Sequence, residues 1–278
     1  MKHLKKSIGV ILLGLLLILA ACGSDKDSKV VKVGTSTAES TTWNLVKELA
    51  EKEDIQIEVI KIDDYVQPNL ALADGEIDIN AFQTVVYFDS FIEDRDLDLT
   101  AIGTTNIWPM GIYSKEINDL DELEDGSQVA VPNDPTNLGR ALLLLEKAEL
   151  ITLEEGFDGT GGVENIVDNP KNLDVTPVDS GQTARSLDDV TLALINSDKA
   201  IGAGFNPTND PVFREDENNK AYVNIIAAQT DRKDDEVLNK IVEIYHTDEV
   251  KEFIEQEFEG AAVPVREPIS FLDDYQQN

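Results

Sequence analysis

One order of apolar and polar segments occurs twice in this sequence, and that recurrence constrains the fold more than any other feature. The first copy opens with residues 30–33 (VVKV), a short apolar run that ends at Gly34. A polar turn, TSTAESTT (35–42), leads into an amphipathic helix over about 43–52, then an alternating strand, IQIEVI (55–60). A helix through 70–73 and a strand pattern in GEIDINAF (75–82) complete it. From residue 127 the order returns, with SQVAVP (127–132) as a strand, NDPTN (133–137) as a cap-rich loop and 139–148 as a helix. NLDVTPV (172–178) is then a strand, DSGQTARSLDDV (179–190) a loop entering a short helix, and TLALIN (191–196) a strand.

Each copy is a β-α-β-α-β unit, and strands alternating with helices predict a parallel sheet covered on both faces. Two units therefore predict an α/β protein of two lobes. Ligands of open parallel sheets bind beyond the carboxyl ends of the strands, which here means a cleft between the lobes. The extended segment 101–114, with Pro109, is the expected crossing into the second lobe, and the Gly-, Pro- and Asn-rich segment 197–211 the expected return. The first lobe then takes residues 30–109 and 204–278 and the second takes 110–203. A hinge crossed twice favours closure by rigid-body rotation.

The N-terminus belongs to neither lobe. Lys2, Lys5 and Lys6 precede an apolar stretch over 8–21, too short to span a bilayer but suited to the core of a signal peptide, residues 1–21. It ends in LAACGS (19–24), which resembles the lipobox of bacterial lipoproteins, where the signal is cut before a cysteine that carries a diacylglycerol. Cys22 is the only cysteine in the chain, so no intramolecular disulfide can form. Residues 22–29 read as the lipidated cysteine and a flexible tether, which places the protein at the cell membrane, lipid-anchored and facing outside the cytoplasm. Removing residues 1–21 takes away three lysines and leaves 20 basic against 55 acidic residues, a net charge of −35. Such a field repels nucleic acid and anionic headgroups alike.

Within the second copy, NDPTNLGRALLLLEKAEL (133–150) directs a helix N-terminus and a cation, Arg140, toward one place. Asp134 or Thr136 can cap, and Pro135 suits the first turn. The terminal amides and the helix dipole attract an anion, and the guanidinium fork fits a carboxylate bidentately. The same fork would equally pair with one of the many acidic side chains, which at the surface is worth little. Spacing alone reads Phe82 and Tyr87 as core and the asparagines at strand ends as turn residues.

Catalytic signatures are missing from the sequence. Of two histidines, His3 leaves with the signal, and His246 falls in an acidic amphipathic helix where exposure is expected. There is no HExxH, no GxSxG and no Cys/His zinc spacing, and DRDLDLT (94–100) lacks the glycine and terminal glutamate of a calcium loop. No enzyme, metal or cofactor is expected. A surface hydrolase is the rival reading from another class and a structural or adhesive lipoprotein a further one.

DYVQPNLALADGEIDINAFQ, PMGIYS, VAVPNDPTNLGRALLLLEKAEL, NPKNLDV, RSLDDV and GAAVPV together resemble the NlpA lipoprotein family, over about residues 31–265. These are methionine-binding lipoproteins that serve ABC importers. The resemblance implies the type II periplasmic-binding-protein fold of two hinged α/β lobes. It implies as partners L-methionine or a related zwitterion and the permease and ATPase subunits of an importer, with the binding protein a monomer. Tyr65, Phe82 and Tyr87 match aromatic positions that wrap the methionine side chain. Arg140 matches the arginine that holds the carboxylate, and Asn196 and Asn224 match the two asparagines at the polar head. Thr84 stands where many relatives have histidine, Ala81 where a bulkier aromatic is common, and the 34–41 loop lacks a Pro-His pair. A slightly roomier pocket is the implication, one that could prefer a methionine-containing dipeptide or another apolar amino acid.

Overall fold

The computed structural model describes residues 30–275; the signal peptide, Cys22 and the tether lie outside the described residues. Strands β1 (Val31–Thr35), β2 (Ile57–Lys61) and β3 (Ile79–Thr84) pair in parallel in the order β2-β1-β3. Helices α1 (Ser40–Glu51) and α2 (Gln67–Ala73) connect them. Helix α3 (Val85–Arg95) and strand β4 (Leu99–Ile107) follow, and the chain then crosses to the second sheet through Trp108, Pro109 and Met110.

There β5 (Gly111–Tyr113) precedes the second parallel trio. This consists of β6 (Gln128–Pro132), β9 (Asp174–Val178) and β10 (Leu192–Ile195), in the order β9-β6-β10. Helices α4 (Pro135–Lys147) and α5 (Thr183–Ser186) cover it, and β7 (Thr152–Leu153) and β8 (Ile166–Asp168) form a small separate ribbon. After α6 (Ser197–Gly202) and β11 (Phe213–Arg214), the chain returns as β12 (Val223–Gln229), then α7 (Glu236–Tyr245), α8 (Asp248–Phe258) and β13 (Val263–Pro264). The finished sheets run β13-β4-β12-β3-β1-β2 and β11-β5-β10-β6-β9.

The parallel trios are as the sequence pattern predicts, but each sheet is mixed. Beside the third strand of each trio lies an antiparallel one, β12 against β3 and β5 against β10. Chain direction explains this. Each of these strands begins just after a crossing, at the cleft, where the parallel strands end; Gly111 faces Ile195 and Asn224 faces Thr84. A strand starting at that edge can only run the other way. The return crossing also falls later than residues 203–204, because β11 still pairs with β5 in the second sheet. It lies between Arg214 and Val223.

Both faces of each sheet are buried, so the central strands read as nearly continuous apolar runs. In the first lobe, Trp43 and Val46 of α1 pack with Leu238, Ile241, Val250 and Ile254 on one face, while Leu72, Val85 and Phe88 fill the other. In the second, Leu138, Leu142 and Leu145 of α4 pack on Val129, Val131, Leu192 and Leu194. Gly139 lets the 157–160 loop press against α4, since a Cβ there would lie 2.0 Å from the Gly159 carbonyl oxygen. None of the described helices is long and apolar enough to cross a membrane.

Candidate functional site

The carboxyl ends of β1, β3, β6 and β10 and the first residues of β12 meet at one cavity of about 440 Å³. Every site residue the sequence singled out, Tyr65, Phe82, Thr84, Tyr87, Arg140, Asn196 and Asn224, lines it. Ala81 does not. It is wholly buried under α1 in the first-lobe core, so its small size does not widen the cavity.

The first lobe supplies the rings. Tyr65, Phe82 and Tyr87 form a triangle with centroids 6.1, 6.1 and 6.4 Å apart, and Phe91 backs Tyr87 at 5.8 Å. These separations and tilted planes suit aromatic pairing. The Tyr87 hydroxyl donates to the Tyr65 carbonyl (2.8 Å), which fixes the turn carrying Tyr65. Thr84 is the N-cap of α3, its hydroxyl accepting from the Tyr87 amide at 3.3 Å. Beneath the rings Asn69 and Gln83 exchange two side-chain hydrogen bonds of 2.7 Å, and Asn80 joins them at 2.8 and 3.0 Å. This buried, mutually satisfied network holds the strand that presents Phe82.

The second lobe supplies Arg140, which is only 4% exposed. Its Nε and Nη2 donate to the two carboxylate oxygens of Glu215 at 2.8 and 2.5 Å, and Nη2 also donates to the Trp108 carbonyl at 2.9 Å. The guanidinium lies 4.1 Å over the Tyr222 ring. Burial pushes its pKa down, but the charge and hydrogen bonds of Glu215 outweigh that and hold it above the usual value, so the cation is secure. One edge of the fork is thus taken by the protein itself, and among the described residues hydrogen bonds are made by Nε and Nη2 and none by Nη1. The helix terminus is likewise filled: Asp134 caps α4 and accepts from the Asn137 amide at 2.9 Å. The expected offer of helix amides to a ligand is replaced by an internal carboxylate, and the anion-seeking group that lines the cavity is Arg140 alone.

Asn196 donates through Nδ2 to Asn137 (2.8 Å), while its Oδ1 is buried without any hydrogen-bond partner. The Asn224 side chain donates to Glu39 at 3.3 Å.

Six further lining residues escaped the reading of the sequence: Glu39, Gln83, Trp108, Asn137, Ser197 and Asp198. Glu39 stands at the start of α1 and is 2% exposed. Its Oε1 accepts from Trp108 Nε1 at 2.7 Å. Burial, with a smaller push from Asp198, raises its pKa to about 8 against the pull of hydrogen bonds from Trp108, Asn224 and Thr35. Asp198 accepts from the Tyr65 hydroxyl across the cleft (2.6 Å), and Lys199 reaches back to the Asp63 carbonyl at 3.0 Å. A signal for Glu39 was available. It occupies the turn after the first strand of the first copy, the place that Asn137 and Arg140 hold in the second.

Among the described residues no cluster of His, Cys, Asp or Glu could hold a metal ion. His246 is half-buried and not exposed as expected, with Nε2 2.8 Å from the Thr104 carbonyl and a pKa lowered chiefly by burial; it does not line the cavity. What the cavity offers is an apolar slot at one end and a cation with several acceptors at the other, a chemistry suited to a small zwitterion with an apolar side chain.

A "D-methionine-binding lipoprotein MetQ" of Salmonella typhi is 46% identical over 252 residues, 89% of this chain and 93% of its own length. Protein PG110 from Staphylococcus aureus, a crystal structure, superposes with a TM-score of 0.86 at 40% identity, over 89% of this chain and 98% of that one. A nutrient binding protein from Burkholderia cenocepacia, solved bound to methionine, gives 0.81 at 41% identity over 84% and 99%. Residues 31–266 match the family model of the NlpA lipoprotein, and the chain belongs to that family.

Proposed function

We propose that this protein is the lipid-anchored, extracytoplasmic binding component of an ABC importer, with methionine as its ligand. The observation that carries this reading is the facing of an aromatic triangle from one lobe by Arg140 and the orphan acceptor of Asn196 from the other, around one cavity. The thioether side chain enters between Tyr65, Phe82 and Tyr87, where a polarizable sulfur gains from ring contacts. The ligand carboxylate meets Arg140 at Nη1, and Asn196 and Asn224 hold the polar head. The names of the Salmonella and Burkholderia relatives support methionine as the ligand class.

Function here is binding, not catalysis. A ligand that bridges the lobes stabilises the closed form only by the excess of its contacts there over those in the open form. The closed form is delivered to permease and ATPase subunits; ATP hydrolysis belongs to the latter, since this sequence has no GxxxxGK[ST] loop. Cys22 carries the lipid. A second reading, a methionine-containing dipeptide or another apolar amino acid, is favoured by Thr84, which is shorter than a histidine at the cavity wall.

A thermal melt tests the proposal. Methionine at a hundredfold excess over Kd stabilises the folded protein by about 2.7 kcal/mol and is recovered unchanged. A melt unmoved by either methionine enantiomer and by methionyl dipeptides removes the reading, as does conversion of the ligand. Cys22→Ala leaves that stabilisation intact and moves the protein from the membrane to the soluble fraction; continued sedimentation with membranes removes the lipid anchor.

A further inference from the structure

Arg140 is gripped by both crossings between the lobes. Its Nη2 reaches the Trp108 carbonyl on the first crossing, and its guanidinium lies over the Tyr222 ring on the return. Glu215, immediately after β11 on the return, takes Nε and Nη2 and is itself only 9% exposed. Glu215 also ties the two crossings together. Its backbone amide donates to the Met110 carbonyl at 3.0 Å, and its Oε2 accepts from the Met110 amide at 2.7 Å. Met110 is wholly buried in the second-lobe core, whereas Trp108, two residues earlier, packs in the first-lobe core. Glu215 is therefore fixed to the second lobe at the point where the chain enters it.

Three donors converge on its two oxygens, Arg140 Nε on Oε1 and both Arg140 Nη2 and the Met110 amide on Oε2. A carboxylate receives all three. A glutamine of the same shape cannot, because its NH2 group must face either Nε or the other two donors. The two parallel contacts to Arg140 also set the plane and direction of the guanidinium, which a single contact leaves free to swivel.

We propose that Glu215 is a positioning residue for recognition: from the return crossing it aims Arg140, so that the Nη1 edge meets the ligand carboxylate. The inference rests on the methionine-binding reading and locates the selection of a carboxylate at the hinge. Because one carboxylate holds both Met110 and Arg140, the arginine keeps its aim with the second lobe as the lobes rotate. The contacts that change on closure are those to Trp108 and to Tyr222, which stands beside β12 of the first lobe. A fork aimed in advance spends none of the ligand's binding energy on ordering a long side chain.

The test is titration calorimetry of the full-length protein with L-methionine and with L-methioninol, in which a hydroxymethyl group replaces the carboxylate. The wild type prefers methionine by about a hundredfold or more, because a site built for a polar group rejects the analogue that lacks it. Glu215→Gln lowers methionine affinity by about tenfold or more, as for a lost hydrogen bond to a charged group, and changes methioninol affinity by less than about threefold. Glu215→Asp, a carboxylate set back by one methylene, gives a preference between these two and carries the comparison should Glu215→Gln not fold. Asp216→Asn, one residue further on and paired with Lys147 at the surface, leaves the preference at its wild-type value. Equal losses for both ligands, an unchanged preference in either Glu215 variant, or the same narrowing in Asp216→Asn overturns the proposal and makes Glu215 structural. A wild type that binds methionine and methioninol alike overturns it while sparing the methionine reading; a wild type that binds neither overturns both.

Discussion

Both lobes bury an ionisable side chain where their strands end at the cleft, Arg140 in one and Glu39 in the other, but they surround it differently. Arg140 has a carboxylate, a carbonyl and a ring around it, and its charge is settled within the fold. Glu39 has only neutral donors, and the charge that shifts it, Asp198, is of its own sign. A paired ion belongs to the architecture, because removing either partner strands the other. An acid with neutral neighbours is held in the less soluble of two states and can be switched by what arrives. Within one duplicated framework, the second lobe therefore holds a fixed charge and the first an adjustable one.

The largest test of this contrast is Arg140→Ala. It leaves Glu215 buried without its partner and costs about 3–5 kcal/mol of unfolding free energy in urea titration, beyond any loss of ligand. Replacing both residues, as Arg140→Met with Glu215→Leu, restores most of that stability without restoring methionine binding; if binding returns as well, Arg140 is only a structural ion. The Glu39 side of the contrast appears in pH. Its folded pKa, about 8, lies above the ordinary 4.5, so its unfolded form loses the proton first as pH rises. Stability is full below pH 4.5 and falls, by an amount on the order of 4–5 kcal/mol, as pH climbs to 8. Glu39→Gln abolishes this contribution, measured as the difference between urea curves at pH 5 and pH 8; a wild type whose difference equals that of the variant disproves the adjustable acid. Smaller still is Tyr65→Phe, which removes the hydroxyl that joins the lobes through Asp198. A hydrogen bond to a charged group is worth about 1.5–3 kcal/mol, so methionine affinity falls about tenfold or more and small-angle scattering of the liganded protein shifts toward the open form.

Much of this was legible beforehand because apolar periodicity reports burial directly. The parallel trios and the crossing near Pro109 follow from local pattern and turn chemistry, which left Asp134 and Thr136 as rival caps; Asp134 takes that place. Helix α3 and the antiparallel placing of β5 and β12 were not legible, since those depend on where the chain re-enters a sheet. Among site residues, the aromatics and asparagines rested on family resemblance, because a ring or an amide at a strand end has the same local pattern whether it faces a core or a ligand. Glu215 and Asp198 were hidden for a plainer reason. In a chain with 55 acidic residues, nothing local marks the few whose side chains turn inward.

The twice-crossed path has a bearing on biosynthesis. Every strand of the second lobe's sheet comes from residues 111–214, so that half can close on itself as soon as it is made. The first lobe cannot, because β12, which separates β3 from β4, is made only after the second lobe is complete. Until residues 223–229 arrive, β3 and β4 have unfilled hydrogen-bonding edges and the aromatic triangle lacks its neighbouring Asn224. The portion synthesised first is the last to become whole, and ligand capture waits on the final quarter of the chain.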